Sequence, residues 1–508
     1  MLEWITNFND DINGFVWNYG VYLLIATGLL TTLVTAVFQV SHIRLWWKNT
    51  IGSLFKKDVI GHTKDKTISP FQALCTALAA TIGVGNIAGV AAAIAIGGPG
   101  AVFWMWVAAF LGMMTNYSEN VLGIFYRRKN ADGEWSGGAM YYLEDGLGAK
   151  KGCKKIGKLL AILFSIFTLL ASFGIGAMGQ INKIVINLES AFPIQSLMNV
   201  QVFEGVSLYA VILGVILVAI AALITLGGLK RIASFAEKVV PFMVVLFILG
   251  SIAIVCVNYD MILPAFKAIF VTAFNPVAVA GGVGGVAISK VMQQGFKRGV
   301  FSNEAGLGSS VMVHSNSSVK EPVTQGMWGI FEVFADTLVV CTLTALVVLT
   351  TRGDVANLYT TFEDVGTTVA DSFNTVFGFW NIGGKFIALA IFLFAFTTAL
   401  GWDHYGSKAW EYLFGTKTLK LYKVIHLVTI FLGAVMTSSL AWDISDTFNG
   451  LMMLPNLIGV IVLSPLVMKI TKNYIDRRVK HKDIEPMLSV FPEIQTEHAK
   501  AVKENNEN

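Results

Sequence analysis

The sequence predicts an all-α, polytopic membrane protein of about 11 transmembrane helices, and three observations carry that reading. Of 508 residues, 55% are hydrophobic and 14% charged, with mean hydropathy +0.64, too apolar for a soluble surface of this size. Apolar stretches of about 20 residues, each able to cross a hydrocarbon core of about 30 Å, recur from near position 15 to near position 470. Lys and Arg sort between alternate loops.

The segment before the first apolar run carries acidic residues and no Lys or Arg, so it lacks the basic start of a cleavable signal peptide. That run is expected to remain as a helix. The expected spans are 15–41, 70–96, 99–126, 157–187, 207–227, 233–257, 276–312 (irregular), 326–350, 383–411, 421–440 and 446–469. One set of loops (42–69, 127–158, 230–238, 297–320, 408–423 and 469–508) holds 32 of the 37 cations. The opposite set holds only Lys183, Lys267, Arg352 and Lys385, and Lys290 falls inside a span. The positive-inside rule then puts the N-terminus outside, the C-terminus in the cytoplasm, and the chain in the cell membrane as a multi-pass protein.

The net charge of +4 is distributed by topology, so nucleic acid is not indicated as a partner. The four cysteines, Cys75, Cys153, Cys256 and Cys341, have neither CxxC nor histidine ligand spacing and are expected as free thiols. The expected organisation is an extra N-terminal helix and loop (1–69), two five-helix repeats (70–258 and 259–470), and a C-terminal tail (471–508).

Span 70–96 places Gly83, Gly85 and Asn86 at its middle. On their own the glycines admit two readings: close helix packing, or a break that protein, water or ligand must satisfy because lipid cannot. Span 276–312 contains Gly281, Gly282, Gly284 and Gly285, then Gln293-Gln294-Gly295, then Arg298 to Gly306, and cannot be one straight apolar helix. With the first span set aside, the other ten divide five and five, and these two spans open the halves from opposite sides. Paired interrupted helices in matching positions indicate an inverted repeat with a midplane site. There, freed amides suit an amino-acid carboxylate and freed carbonyls a cation. Small residues near the breaks, Ala88, Gly89 and Ala280, favour a small substrate.

Span 383–411 carries Thr397 and Thr398 in a deeply apolar run. Such hydroxyls commonly bond back to the preceding turn, and they are equally the hard, uncharged oxygens a sodium ion takes.

The strings Thr-Ala-Leu-Ala-Ala-Thr-Ile-Gly-Val-Gly-Asn-Ile-Ala-Gly-Val in the first broken span and Ile-Gly-Gly-Pro-Gly-Ala-Val-Phe-Trp-Met-Trp after it resemble the signature of the alanine/glycine:cation symporter family. Arg298 to Gly308, Ser136 to Tyr142 and Gly401-Trp402 are further matches, and the resemblance covers nearly the whole chain. It implies a LeuT-type 5+5 inverted repeat with one extra N-terminal helix, and secondary active import of alanine, glycine or occasionally glutamine with sodium or protons. It implies no cofactor beyond Na+ as coupling ion. It places sodium at the carbonyls of Ala79, Ile82 and Phe394 and the hydroxyls of Thr397 and Thr398. It places the substrate carboxylate near Val84 and Gly85, with Thr81 and Asn86 beside it, and suggests Gln180, Gln294 and Trp402 as substrate contacts. Gln180 also admits a plain helix-to-helix hydrogen bond, and Trp402 core packing. Asp403, His404 and Lys290 depart from the commoner family strings.

Glu119 and Lys183 fall toward span ends, where snorkelling or pairing explains such groups. Glu304 is expected at the cytoplasmic face, bracing a gate. Asp336 or Glu119 would carry the proton if protons drove transport. An amino-acid sensor or channel without accumulation is the reading from another class. An enzyme is not expected, since no catalytic triad, metal set or phosphate cradle appears near the midplane.

Overall fold

The computed structural model describes residues 2–54, 56–61, 67–274, 288–354, 358, 367–436 and 440–507. It is mostly helical. Among these residues eight helices are long and apolar enough to cross a membrane, and the pair Pro70–Thr81 and Gly85–Gly97, bent by 56°, makes a ninth. Leu2–Val34, Lys154–Ala191, Leu208–Thr225, Gly228–Val257, Pro322–Thr350, Ile382–Phe414, Leu419–Val435 and Leu440–Arg478 overlap expected spans, the first stopping short of the expected 41 where Ala36 and Val37 take positive φ. Gly100–Phe125 is a further 26-residue helix where 99–126 was expected. Span 276–312 is described only from 288: Ile288–Asn303 is helical, 304–310 is irregular and Val311–His314 adds one turn. Ala280 and the glycines of 281–285 lie outside the described residues.

Pro70–Thr81 starts where local chemistry dictates. Ser69 and Gln72 form a reciprocal capping box, and Pro70 occupies the first turn, where its missing N–H costs nothing. The helix stops at Ile82, whose extended backbone (φ −77°, ψ 92°) leaves the last carbonyls without intrahelical donors. Helical structure resumes at Gly85 with a wide turn, Gly85–Gly89. The second interruption has its own cause: Glu304, Gly306 and Gly308 all have positive φ (56°, 92° and 74°), which ends Ile288–Asn303 abruptly.

The N-terminal helix Leu2–Val34 packs along Leu440–Arg478 and Gly100–Phe125. A polar clamp fixes its register: Asn13 donates to Asp446 at 2.9 Å, and Asp446 pairs with Lys297 at 2.8 Å. The two interrupted segments meet at the end of the bundle where the basic loops gather. The Ile68 amide donates to the Asn316 carbonyl and the Ser318 amide to Ile68, a one-residue parallel bridge. Arg127, fully buried, donates to the carbonyls of Ser315, Ser317 and Val319 at 3.1, 2.6 and 2.5 Å, and Glu321 pairs with Arg477 and Arg478 at 2.7 Å. The C-terminal segment covers this end, with the Val490 amide on the Phe125 carbonyl and His498 against Trp135. Burial beside Arg127, Lys320 and Lys129 pushes the His498 imidazole down to about 3.

Truncating Arg127 strips three carbonyls of their donor. Arg127→Ala is expected to destabilise the fold by about 2 kcal/mol, read as a lower melting temperature of the detergent-purified protein, with the loss concentrated at this end.

A candidate cation and amino-acid site at the interrupted helix

The break at 82–84 lies against Ile382–Phe414, and Thr398 is the point of contact. Its hydroxyl stands 3.1 Å from the Ala79 carbonyl, 3.4 Å from Ile82 and 2.9 Å from Phe394. One hydroxyl has one hydrogen, so it satisfies one of three converging carbonyls. The Ala79 carbonyl would take the Gly83 amide in an unbroken helix, but that amide bonds Asn86 Oδ1 at 2.9 Å instead. A buried surplus of hard, uncharged oxygen fits a small cation. All four groups are among those the family resemblance implied for sodium. Thr397, the fifth, sits one position off: its hydroxyl bonds Phe394 at 3.0 Å and reaches Met243 Sδ at 3.7 Å, not the break. Among the described residues no set of three or more His, Cys, Asp or Glu is placed to hold a metal, and all four cysteines are free.

Downstream of the break the groups change from acceptors to donors. The Val84 amide faces Gln180 Oε1 at 3.4 Å, and Gln180 Nε2 bonds the Ile175 carbonyl at 3.2 Å. Gln180 therefore meets the Val84 amide with a neutral amide oxygen. Its placement depends on the wide turn Gly174–Met178 that interrupts Lys154–Ala191. Trp402 packs where Gly176 lacks a side chain: a Cβ there would stand 2.5 Å from Trp402 Cβ.

A small cavity joins these pieces, lined by Thr81, Gly83, Gly85, Gln180, Thr398 and Trp402, together with Ile175, Phe301, Glu304 and Asn449. The space open to the centre of a water-sized sphere is about 20 Å³, room for about one water. The cavity at the break is thus small. Among the described residues, the Thr81 hydroxyl and Asn449 Oδ1 are buried without hydrogen-bond partners. A larger cavity of about 640 Å³ lies at the opposite end from Arg127, lined in part by Lys183, Glu189 and Ser207.

Several expectations are corrected. Gln294 does not line the cavity. It stands about two turns before Phe301 on its helix, its Cβ 3.2 Å from where a Gly97 Cβ would be, with its buried Oε1 unpartnered among the described residues. Glu304 is not at the basic face. The positive φ that ends Ile288–Asn303 turns its buried carboxylate into the cavity, bonded by the Ser309 hydroxyl. Glu119 does not snorkel. It is 1% exposed and bonded by Asn456, which also donates to the Gly306 carbonyl at 2.9 Å, so the pair holds the second break in place. Asp403 and His404 leave the cavity undisturbed, since Asp403 pairs with Lys423 and His404 faces Met312 and Asn316. Lys290 is exposed. Asn449, Phe301 and Ile175 were not anticipated, and the only signal for Asn449 was an amide in a long apolar helix that also carries Asn456.

A family model described as the sodium:alanine symporter family matches residues 2–488. The sodium/alanine symporter AgcS of Methanococcus maripaludis is 41% identical over 92% of this chain and 96% of its own. A Bacillus subtilis protein named "Probable sodium/glutamine symporter GlnT" is 33% identical over 95% of this chain and 93% of its own. Among solved structures, MhsT in complex with L-phenylalanine is similar with a TM-score of 0.49 and 13% identity, over 81% of this chain and 99% of that one.

Proposed function

The chain belongs to the sodium:alanine symporter family, a family of amino-acid:cation symporters, and from that premise we propose that it imports alanine or glycine with sodium by alternating access. The observation that carries this reading is the division of labour at one break. Three carbonyls and the Thr398 hydroxyl converge upstream, and the Gly83 and Val84 amides, now held by side-chain oxygens, lie downstream. Sodium binds the first group; the substrate carboxylate displaces the oxygens of Asn86 and Gln180 from the second. The substrate ammonium then faces Glu304 and the unpartnered Thr81 hydroxyl and Asn449 Oδ1.

The small volume of the cavity supports a small substrate. Phe301, Ile175 and Trp402 form walls that leave little length for a glutamine side chain. The two interruptions support a 5+5 inverted repeat of LeuT type within about 11 spans, preceded by one extra helix. The loop cations support an outside N-terminus and a cytoplasmic C-terminus. The Ile68–Ser317 bridge and the Arg127 clamp then close the cytoplasmic end. One sodium entering down 100 mV releases about 2.3 kcal/mol, which drives accumulation of a zwitterion before the concentration gradient is counted.

The test is uptake of labelled alanine into proteoliposomes with sodium and pH gradients imposed separately, followed by competition with unlabelled amino acids. Uptake that requires sodium and is blocked by alanine and glycine is expected. Equal uptake with sodium wholly absent would overturn sodium coupling, and glutamine competing best would move the substrate.

A further inference from the structure

Asp336 lies on the helical stretch Phe334–Cys341 and is fully buried. Three donors converge on its carboxylate. Asn86 Nδ2 reaches Oδ1 at 2.6 Å, and the hydroxyls of Ser302 and Thr337 reach Oδ2 at 2.8 and 2.7 Å. Two of these donors have no freedom to turn. Asn86 Oδ1 is held by the Gly83 amide, so its NH2 must face Asp336. Thr337 Oγ1 accepts from Asn303 Nδ2 at 3.0 Å, which leaves its own hydrogen for the carboxylate.

Ser302 alone can reverse, because its oxygen also lies 3.2 Å from Cys341 Sγ and either atom of that pair can donate. Two complete arrangements follow. With Asp336 ionised, Cys341 donates to Ser302 and Ser302 to Oδ2. With a proton on Oδ2, that proton is donated to Ser302, and Ser302 donates to Cys341. Neither arrangement strands a buried polar group.

The surroundings demand neutralisation. Gly85–Gly89, Gly100–Phe125 and Ile288–Asn303 pack against this stretch. No ion pair is recorded at Asp336 among the described residues. Glu332, one turn earlier, is itself a carboxylate and is paired with His314 at 2.9 Å, with Asn116 bonded to it at 3.3 Å. Glu304 follows Asn303 and bonds Ser309. Glu119 on Gly100–Phe125 is held by Asn456. On Ile288–Asn303, Lys297 is paired with Asp446, Lys290 is exposed, and Arg298 makes no recorded ion pair. A sodium ion at Asp336 would meet the amide nitrogen of Asn86 and the Cys341 sulfur among its neighbours, where it prefers a cage of oxygens.

We propose that Asp336 takes up a proton when substrate binds, and that Asn86 carries its state to the substrate-carboxylate amides. Ionised Asp336 grips Asn86 by a charge-assisted bond, so Asn86 Oδ1 stays on the Gly83 amide and competes with the substrate. Protonation weakens that grip, frees the Gly83 amide and removes a negative charge near the incoming carboxylate. The proton comes from water in the cavity, whose wall at Gly85 packs on Ser302. This inference rests on the proposed substrate site, and its test separates the two.

Alanine binding is measured calorimetrically at saturating sodium, in buffers of different ionisation enthalpy, across about pH 5 to 9. The wild type is expected to take up a proton, its affinity falling by up to about tenfold per pH unit on the alkaline limb. Asp336→Asn is expected to bind with no proton uptake and a flat profile. Ser302→Ala, which keeps the carboxylate but loses the reversible hydroxyl, is expected to retain proton uptake with a displaced midpoint. The infrared carbonyl band of a protonated carboxylic acid provides a substrate-free readout: one component should titrate in the wild type and be missing from the difference spectrum of Asp336→Asn, apart from any signal of the other buried carboxyls Glu119, Glu304 and Glu332. A band and proton count unchanged in Asp336→Asn overturn the proposal, as does the loss of one sodium per alanine with the proton count intact. A titrating band that vanishes in the variant, with no alanine bound by either protein, upholds the proton site and overturns the transport reading.

Discussion

Gly83→Ala is expected to reduce sodium-driven alanine uptake about hundredfold while the protein still folds and purifies normally. The added Cβ would stand 2.6 Å from Thr398 Oγ1, 3.5 Å from Thr398 Cβ and 3.3 Å from Gln180 Oε1. Thr398 cannot easily yield, because a β-branched side chain in a helix has few rotamers and its hydroxyl is tied to the Phe394 carbonyl. Either the break or Ile382–Phe414 must move. Overpacking of this kind costs about 1–3 kcal/mol, which a domain of this size tolerates. The same displacement spreads the carbonyl cluster, turns the Gly83 amide and enters a cavity with room for about one water. Transport therefore suffers far more than folding. The comparison is initial uptake in proteoliposomes against melting temperature in detergent. Uptake within about twofold of wild type would show that neither sodium nor substrate passes through this contact.

How much of this was legible beforehand follows from what each feature depends on. Span positions rest on local apolar runs, so Gly100–Phe125 falls within a residue of the expected 99–126. The first break was legible because Gly83, Gly85 and Asn86 interrupt an apolar helix at its centre and a second irregular span matches it, whereas its carbonyl set was implied by the family resemblance. The wide turns at Gly174–Met178 and Phe334–Cys341 were not legible. They answer tertiary contacts, such as Ser445 against Gly174, that no local pattern encodes. Glu304 was misplaced for a related reason. Its motif follows Lys297 and Arg298, which read as a loop at the basic face, yet those cations lie along the helix and Lys297 pairs with Asp446. Gln294 lies about two turns from Phe301 on its helix and outside the cavity lining, a placement that depends on helix packing rather than on local sequence. Asp336 was visible as an acid within a span, but the Ser302–Cys341 pair that lets it exist in two states requires two helices at once.

Thr398→Ala should separate sodium from substrate. Removing the hydroxyl deletes one of the oxygens and takes away the single hydrogen available to the Ala79, Ile82 and Phe394 carbonyls, so apparent sodium affinity is expected to fall at least about tenfold, or about 1.4 kcal/mol. The ranking among competing amino acids should hold, because the Gly83 and Val84 amides are untouched. Coupling adds a second signature. If sodium and alanine tighten each other by one factor, the variant's alanine affinity should fall at low sodium and recover as sodium is raised. Thr398→Ser, which restores the oxygen without the methyl group, should recover sodium affinity to within about threefold. Thr397→Ala should do less than Thr398→Ala, since the Thr397 hydroxyl turns to Phe394 and Met243. An unchanged sodium curve in Thr398→Ala would remove this hydroxyl from the ion path. A sodium loss in Thr397→Ala as large as that in Thr398→Ala would mean that the Thr397 side chain rotates toward the break when the ion arrives, and that the ion, not the resting hydrogen bonds, organises the site.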